Sequence, residues 1–313
     1  MYFLESVLGK DNSFWKYVIV FVGVLFVSQV LGAIPLLVIV LRNVIENGIA
    51  MPVDNSSMMD FLAGNISQNL LLFLMLVPFA VGLLATWLFI KLLHKRSFSE
   101  TVNGTKKIRW KRIFTGFGVW LLIMSIYLAI SCIIDPDNFI FQFNLTTFVP
   151  LFFIAIIFIP LQTTFEELLC RGYLAQGIGA WTKNRWIVIV IPSILFGSMH
   201  FLNPEVSEYG IWETMPQYIL FGLIFGLAAV LDDGIELAMG MHAANNIFAC
   251  LFVTFDHSAL QTPAIFKQQS VNMQMETVVL LIAGVLALFF FARKYKWRFS
   301  IINKKIKPTT IEN

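Results

Sequence analysis

Charged residues are scarce in this chain. Only 13% of its 313 residues are Asp, Glu, Lys or Arg, whereas 58% are hydrophobic, and the mean hydropathy is +0.77. Soluble domains carry about 25% charged residues, so a soluble enzyme of this composition would expose apolar side chains over most of its surface. The lack of charge and of any short repeat also excludes a disordered or fibrous chain. The composition therefore indicates a polytopic membrane protein.

Cysteine is also rare, and its placement excludes two kinds of site. The three cysteines, Cys132, Cys170 and Cys250, lie far apart in apolar stretches and form no C-x-x-C pair. Neither a disulfide framework nor a zinc knuckle is therefore predicted. The apolar stretches are continuous and lack the alternation of polar and apolar residues that a membrane β-barrel requires. We predict an all-α fold with about eight transmembrane helices.

Long apolar runs divide the chain. Each predicted span is close to the roughly 20 residues that cross a bilayer, and together they cover 17–41, 69–90, 113–134, 147–170, 186–202, 216–231, 235–255 and 277–292. No linker separates two domains, so we expect one integral membrane domain. We distinguish an N-terminal part with three spans and a basic loop (1–144), a core (145–255), and a last span with a basic tail (256–313).

Lysine and arginine are distributed unequally between the connections. Eight lie between residues 91 and 112 and seven between 293 and 307. With eight spans, 20 of the 22 fall on one face and only Arg42 and Lys267 on the other. The positive-inside rule predicts that this face and both termini are cytoplasmic, in the cell membrane if the protein is bacterial. The basic loop is typical of a topology determinant against anionic lipid, so no nucleic acid is expected as a partner.

Two neighbouring carboxylates lie at the end of the fourth span. Glu167 precedes Arg171 by four residues, an order that favours an ion pair on one helical face. Glu166 lies about 100° around the helix and has Cys170 at the corresponding position. We therefore expect Glu167 to be paired and structural and Glu166 to be available as a general base. The alternative interpretation places both acids in the headgroup region beside Arg171.

Two further polar motifs lie within spans. Phe196 and His200 share one helical face, and so do His242 and Asn246, whose neighbours are small residues that permit close helix approach. Together with Glu166 they suit peptide hydrolysis. Glu166 would take a proton from a water held by the two histidines, and Asn246, helped by His242, would donate to the oxyanion.

The depth of these groups sets a condition on the fourth helix. Glu166 lies near the inner end of its span, whereas His200 lies farther along its own helix at 1.5 Å per residue. For the groups to meet, the fourth helix has to continue past Arg171. We predict that it extends to about residue 176, and a break at Glu166 would count against the site.

The three motifs, Glu-Glu-x-x-x-Arg, Phe-x-x-x-His and His-x-x-x-Asn, occur in this order within 145–255. This pattern resembles the CPBP family (CAAX protease and bacteriocin-processing, or Abi), which is related to the Rce1-type CAAX prenyl endopeptidases. The resemblance implies an intramembrane endopeptidase with Glu166 as catalytic glutamate and a site completed by His200, His242 and Asn246. Glu167, Arg171 and Phe196 would support them. The expected substrate is a membrane-associated or lipidated peptide or protein, cleaved near the cytoplasmic half of the bilayer.

The sequence leaves open whether a metal is bound and whether the protein has one of two other functions. CPBP proteins are often called metalloproteases, and Glu166, His200 and His242 would be the ligands of a zinc ion. However, the chain has no His-Glu-x-x-His helix, so a glutamate-activated water is favoured. Intramembrane Glu and His also mark proton-coupled transporters, although duplicated halves are absent from the sequence. The third possibility is a non-catalytic scaffold or immunity protein on the same fold.

Overall fold

The computed structural model describes residues 2–47, 61–62 and 64–308. Helices predominate, as the continuous apolar runs predict. Their bounds are α1 (Phe14–Leu31), α2 (Ile34–Asn47), α3 (Gln68–Phe89), α4 (Phe98–Asn103), α5 (Trp110–Ile134), α6 (Leu145–Glu167), α7 (Ala175–Thr182), α8 (Arg185–Ser198), α9 (Pro204–Tyr209), α10 (Ile211–Leu231), α11 (Glu236–Leu251) and α12 (Met273–Tyr295).

Six stretches of the described chain are long and apolar enough to cross a membrane, which agrees with a polytopic membrane fold. They are Phe14–Glu46, Gln68–His94, Trp110–Ile134, Leu145–Thr182, Ile211–Leu231 and Met273–Tyr295. The fifth and seventh predicted spans correspond to α8 and α11, which have only 14 and 16 residues. Both are shorter than the roughly 20 residues of a full span, so the count of eight is not confirmed.

The fourth span is a single unbroken helix that carries the two glutamates. A π-helical turn (Leu168–Leu174), here called the π turn, joins α6 to α7 directly after Glu167. The helix therefore continues past Arg171 and ends at Thr182, which confirms the predicted extension and exceeds it by six residues. Single π turns inside α-helices are frequent at functional sites.

Helix α11 is buried among its neighbours, and small residues permit this. A Cβ atom at Gly240 would lie 2.0 Å from the carbonyl oxygen of Ile113, and one at Gly116 would lie 2.4 Å from that of Leu237. The backbones of α5 and α11 are therefore in direct contact, as the small residues around His242 predict. This contact holds α11 at a fixed depth in the bundle.

A small sheet interrupts the otherwise helical fold. Its strands are β1 (Phe139–Phe141), β2 (Val253–Phe255) and β3 (Phe266–Gln268), and β3 lies in the middle, antiparallel to β1 and parallel to β2. β1 and β3 lie in two of the connections that the charge pattern places opposite the termini, and β2 lies at the end of the seventh predicted span. We call this end of the molecule the sheet face.

The opposite end brings together the segments that are rich in Lys and Arg, and we call it the basic face. Lys10 pairs with Glu100 at 3.2 Å, and Arg185 pairs with Glu5. The Trp297 indole donates to Asp232 at 2.9 Å. These contacts join the N-terminus, the second and fourth connections, the turn after α10 and the C-terminal tail. These segments thus lie together at one end of the molecule.

His257 and His94 both lie in predicted loops of the sequence, where a histidine is expected to be solvated, but His94 is buried. It is 9% exposed because the helix continues to it from α3 and packs it against the π turn. Its Nε2 lies 2.7 Å from the Tyr173 hydroxyl, and its Nδ1 lies 3.0 Å from Nη2 of Arg96. His257, by contrast, is exposed as predicted.

Candidate active site

The two glutamates at the end of α6 are both buried but have different partners. Glu167 Oε1 accepts hydrogen bonds from Nη1 of Arg171 and Nδ1 of His242, each at 2.9 Å. Glu166 Oε1 accepts one from Nε2 of Gln162 at 2.8 Å. Within the described chain, Glu166 Oε2 has no hydrogen-bond partner and lies 3.5 Å from Nε2 of His242. Glu167 is therefore neutralised by a cation, whereas Glu166 has no arginine beside it.

The contact with Glu167 fixes the tautomer of His242. Because a carboxylate oxygen can only accept, Nδ1 carries a hydrogen and donates it. In the neutral ring, Nε2 then presents a lone pair toward Glu166 and toward Nδ2 of Asn246, which lies 3.4 Å away. The Asn246 amide also donates to Gln162 Oε1 at 3.1 Å. His242 is thus oriented from one side and accepts from the other.

His200 lies just beyond the C-terminus of α8. Its Nδ1 lies 2.7 Å from the carbonyl oxygen of Phe196, so this nitrogen donates and Nε2 is the acceptor in the neutral ring. The imidazole stacks on the Tyr218 ring with centroids 4.3 Å apart. The Phe196 ring lies 4.0 Å from Cζ of Arg171, which links the second motif to the Glu167 ion pair.

One cavity of about 430 Å³ contains these groups. Glu166, His200, His242 and Asn246 all line it, so the structure brings the four predicted site residues to a single space. Most of the other lining side chains are apolar. An apolar cavity with a few converging polar groups is the usual form of a binding site for a small molecule or peptide.

Two residues of this site escaped the sequence analysis. Gln162 joins Glu166 to Asn246, and its position four residues before Glu166, on the same helical face, was a usable signal. Tyr218 supports the His200 ring from α10, and its hydroxyl accepts a hydrogen bond from Nδ2 of Asn203 at 2.9 Å. Its sequence position gives no indication of that role, since it lies in an apolar helix far from the motifs.

The described side chains are not arranged to hold a metal ion. Among residues 2–47, 61–62 and 64–308, no three His, Cys, Asp or Glu side chains are arranged to hold one. This includes the possible zinc ligands Glu166, His200 and His242. Nδ1 is hydrogen-bonded in both histidines, so Nε2 is the nitrogen of each ring that remains available.

Comparison with known proteins yields a family and a bacterial relative. Residues 145–248 match the family model described as type II CAAX prenyl endopeptidase Rce1-like. The uncharacterized protein YyaK of Bacillus subtilis is 34% identical over 258 residues, which cover 82% of this chain and 83% of the relative. No solved structure matches the chain significantly. The matched region contains Glu166, Glu167, Arg171, Phe196, His200, His242 and Asn246.

Proposed function

The chain belongs to the Rce1-like family, and from this we propose that it is an intramembrane endopeptidase that cleaves a membrane-associated or lipidated peptide or protein. One observation carries the proposal. Glu166, which has no arginine partner in the described chain, meets His242 and Asn246 from a different helix at one end of a largely apolar cavity. A free carboxylate beside an oriented imidazole is the arrangement that activates a water molecule.

The nucleophile is a water bound between Glu166 Oε2 and Nε2 of His242. Both atoms are acceptors, so a water within reach of both donates one hydrogen to each and turns a lone pair toward the cavity. As this oxygen attacks the peptide carbonyl carbon, Glu166 takes one of its protons. Glu166 then gives the proton to the departing amine while the C–N bond breaks, and the other product is a carboxylic acid.

Asn246 stabilises the charge that develops on the carbonyl oxygen. Its Nδ2 carries two hydrogens, one of which is directed to Gln162 in the free site. The other faces Nε2 of His242 across a long contact of 3.4 Å in the free site. We expect it to turn to the oxyanion once the nucleophilic water donates to that nitrogen, and one such donor contributes about 10²–10³ in kcat. Glu167 and Arg171 act indirectly, because they hold the His242 ring in the tautomer that this chemistry requires.

The shape of the cavity disfavours a carrier. A proton-coupled transporter needs polar groups that connect both faces in turn. The described residues that line the cavity come from the bundle interior and the sheet face. The Glu167–Arg171 pair lies beyond Glu166 toward the basic face and is buried with side-chain exposures of 0% and 2%. No described residue of the basic face lines the cavity, so the polar groups that line it do not connect the two faces.

The test is cleavage by the purified protein in detergent micelles. The substrates are a farnesylated peptide with a C-terminal CAAX sequence, the same peptide without lipid, and a set of apolar peptides, with products identified by mass spectrometry. Wild type is compared with Glu166→Gln, which keeps an acceptor for Gln162 and removes the base. Glu208→Gln, an exposed acid of the sheet face, is the matched control.

We expect cleavage by wild type and Glu208→Gln, and a loss of about 10²–10⁴-fold in Glu166→Gln, the range for removal of a general base. Undiminished cleavage by Glu166→Gln would exclude Glu166 as the base. Absence of cleavage of every peptide by wild type would favour the scaffold or immunity interpretation.

A further inference from the structure

The cavity extends from the site in one direction only. At one end it is lined by Glu166, Phe196 and His242, and at the other by residues of the sheet face such as Phe139 and Gln268. The helical segments that contribute to it do so with their halves nearer the sheet face, for example Leu72–Phe79 of α3.

The basic face is closed over the same site. None of the described residues in 2–24, 80–112, 167–190 or 281–308 lines the cavity. Beyond Glu166, the guanidinium of Arg171 lies between the rings of Phe196 and Phe225, with Cζ 4.0 and 5.8 Å from the two ring centroids. Buried side chains of the π turn continue this layer. A peptide approaching from the basic face would meet packed side chains.

The distribution of Lys and Arg then indicates which of the two faces is cytoplasmic. The basic face holds the segments with 20 of the 22 Lys and Arg residues, and such segments remain in the cytoplasm. The sheet face instead carries acids, among them Asp137, Glu208 and Asp256. The cavity thus opens on the side away from the cytoplasm.

We propose that the substrate enters from the extracytoplasmic face, so that its class is an apolar peptide segment exposed at the outer surface of the membrane. This rests on the proposed function for the cleavage itself, but the direction of access rests on the cavity and the charges alone. It differs from the expected cleavage in the cytoplasmic half of the bilayer. A lipidated tail presented in the cytoplasm would have no route to Glu166.

Cysteine accessibility in intact cells tests the direction of access. In a Cys132→Ser background, single cysteines replace Val271 and Ala249, which line the cavity, and Lys305 in the exposed tail. Cys170 and Cys250 are buried and are retained. The reagent is the membrane-impermeant sulfonatoethyl methanethiosulfonate, applied to spheroplasts before and after permeabilisation.

We expect Val271→Cys and Ala249→Cys to react in intact spheroplasts and Lys305→Cys to react only after permeabilisation. Reaction of Ala249→Cys only after permeabilisation would overturn the proposal, and so would reaction of Ala249→Cys and Lys305→Cys from the same side. Labelling requires no catalysis, so its outcome stands whether or not the protein is a protease.

Membrane vesicles separate the two proposals. A peptide that the purified protein cleaves is added to right-side-out and to inverted vesicles. Cleavage in right-side-out vesicles alone supports extracytoplasmic access, and cleavage in inverted vesicles alone contradicts it. If the cysteines are labelled as expected while the purified protein cleaves no peptide, the direction of access holds and the protease proposal fails.

Discussion

Two buried polar clusters in this protein use similar residues in different ways. The site cluster contains Gln162, Glu166, Glu167, Arg171, His242 and Asn246. The basic-face cluster contains Asn103, Arg109, Arg112, Asp232, Glu236 and Trp297. Each has two acids that are at most 5% exposed.

The clusters differ in how their carboxylates are compensated. Arg109 bonds Glu236 at 3.0 and 2.5 Å, and Asn103 donates to the same carboxylate. Asp232 faces both Arg109 and Arg112 at 3.4 Å. In the site cluster, Arg171 forms an ion pair with Glu167 and not with Glu166. Acids paired with arginine join the segments of a face, whereas an acid that lacks a cation and borders a cavity is free for chemistry.

The largest effect is expected for Glu167→Ala, which should lower the stability of the folded protein by disrupting the site cluster. Arg171 would be left as an uncompensated buried cation, a change that costs about 3–5 kcal/mol. We expect low yield and a strongly lowered melting temperature in detergent. Glu167→Gln, which keeps an acceptor for Nδ1 of His242, should lose less. A melting temperature equal to that of wild type would contradict the structural role of the pair.

Asn246→Ala should affect catalysis with little change in stability. Loss of the donor to the oxyanion predicts a fall in kcat of about 10²–10³-fold with a nearly unchanged KM. The measurement is steady-state cleavage of whichever peptide the wild type accepts, together with the melting temperature. A rise in KM at constant kcat would instead make Asn246 a binding residue.

Glu236→Ala should lower stability and leave catalysis unchanged, the opposite of Asn246→Ala. It removes the main partner of Arg109, which is partly exposed and can regain water, so we expect a loss of about 2 kcal/mol in stability. Cleavage at a temperature where the variant is folded should equal that of wild type. A lowered kcat under those conditions would show that the two clusters are coupled.

Asp232→Asn gives the smallest effect, and the effect depends on pH. Burial raises the pKa of Asp232 to about 6 against the attraction of Arg109 and Arg112. The unfolded chain releases this proton near pH 4, so the contribution of Asp232 to stability falls between about pH 4 and 6. An asparagine at this position does not ionise, so the Asp232→Asn variant does not lose this stability as the pH rises.

The variant should therefore gain about 1–2 kcal/mol relative to wild type as the pH rises from 4 to 7. The difference in melting temperature between the two proteins, measured across this range, checks the sign. Other groups titrate in both proteins and cancel in the difference. A difference that does not change with pH would mean that Asp232 stays ionised in the folded protein.

Much of the membrane fold was readable in the sequence because its signals are local. Apolar length predicts spans, and i,i+4 spacing places Glu167 beside Arg171. The requirement that separate motifs meet in space also predicted the continuation of the fourth helix past Arg171. The first two inferences depend on neighbours in one helix or on a count along the chain, and the third combines the positions of the motifs with the rise per residue of a helix.

The remaining features depend on contacts between distant segments. The sheet pairs Phe139–Phe141 with Phe266–Gln268, more than 120 residues apart, and each strand is only three residues long. Tyr218 reaches His200 because α8 and α10 pack together. His94 was expected in solvent because it lies in a predicted loop, yet Tyr173 and Arg96 supply the partners that its burial requires. No local pattern encodes these pairings.

The π turn changes the angular register of the fourth helix. Its i→i+5 hydrogen bonds enclose one more residue than those of an α-helix, so every side chain after it is rotated by about 100°. Glu166 and Glu167 precede the turn, whereas Tyr173 and Gln176 meet His94 and Arg96 at its far end. The parts of the helix before and after the turn thereby contact two different sets of neighbours. Deletion of one residue from the turn would rotate Gln176 away from Arg96. The length of the π turn therefore determines which neighbours the end of the helix contacts.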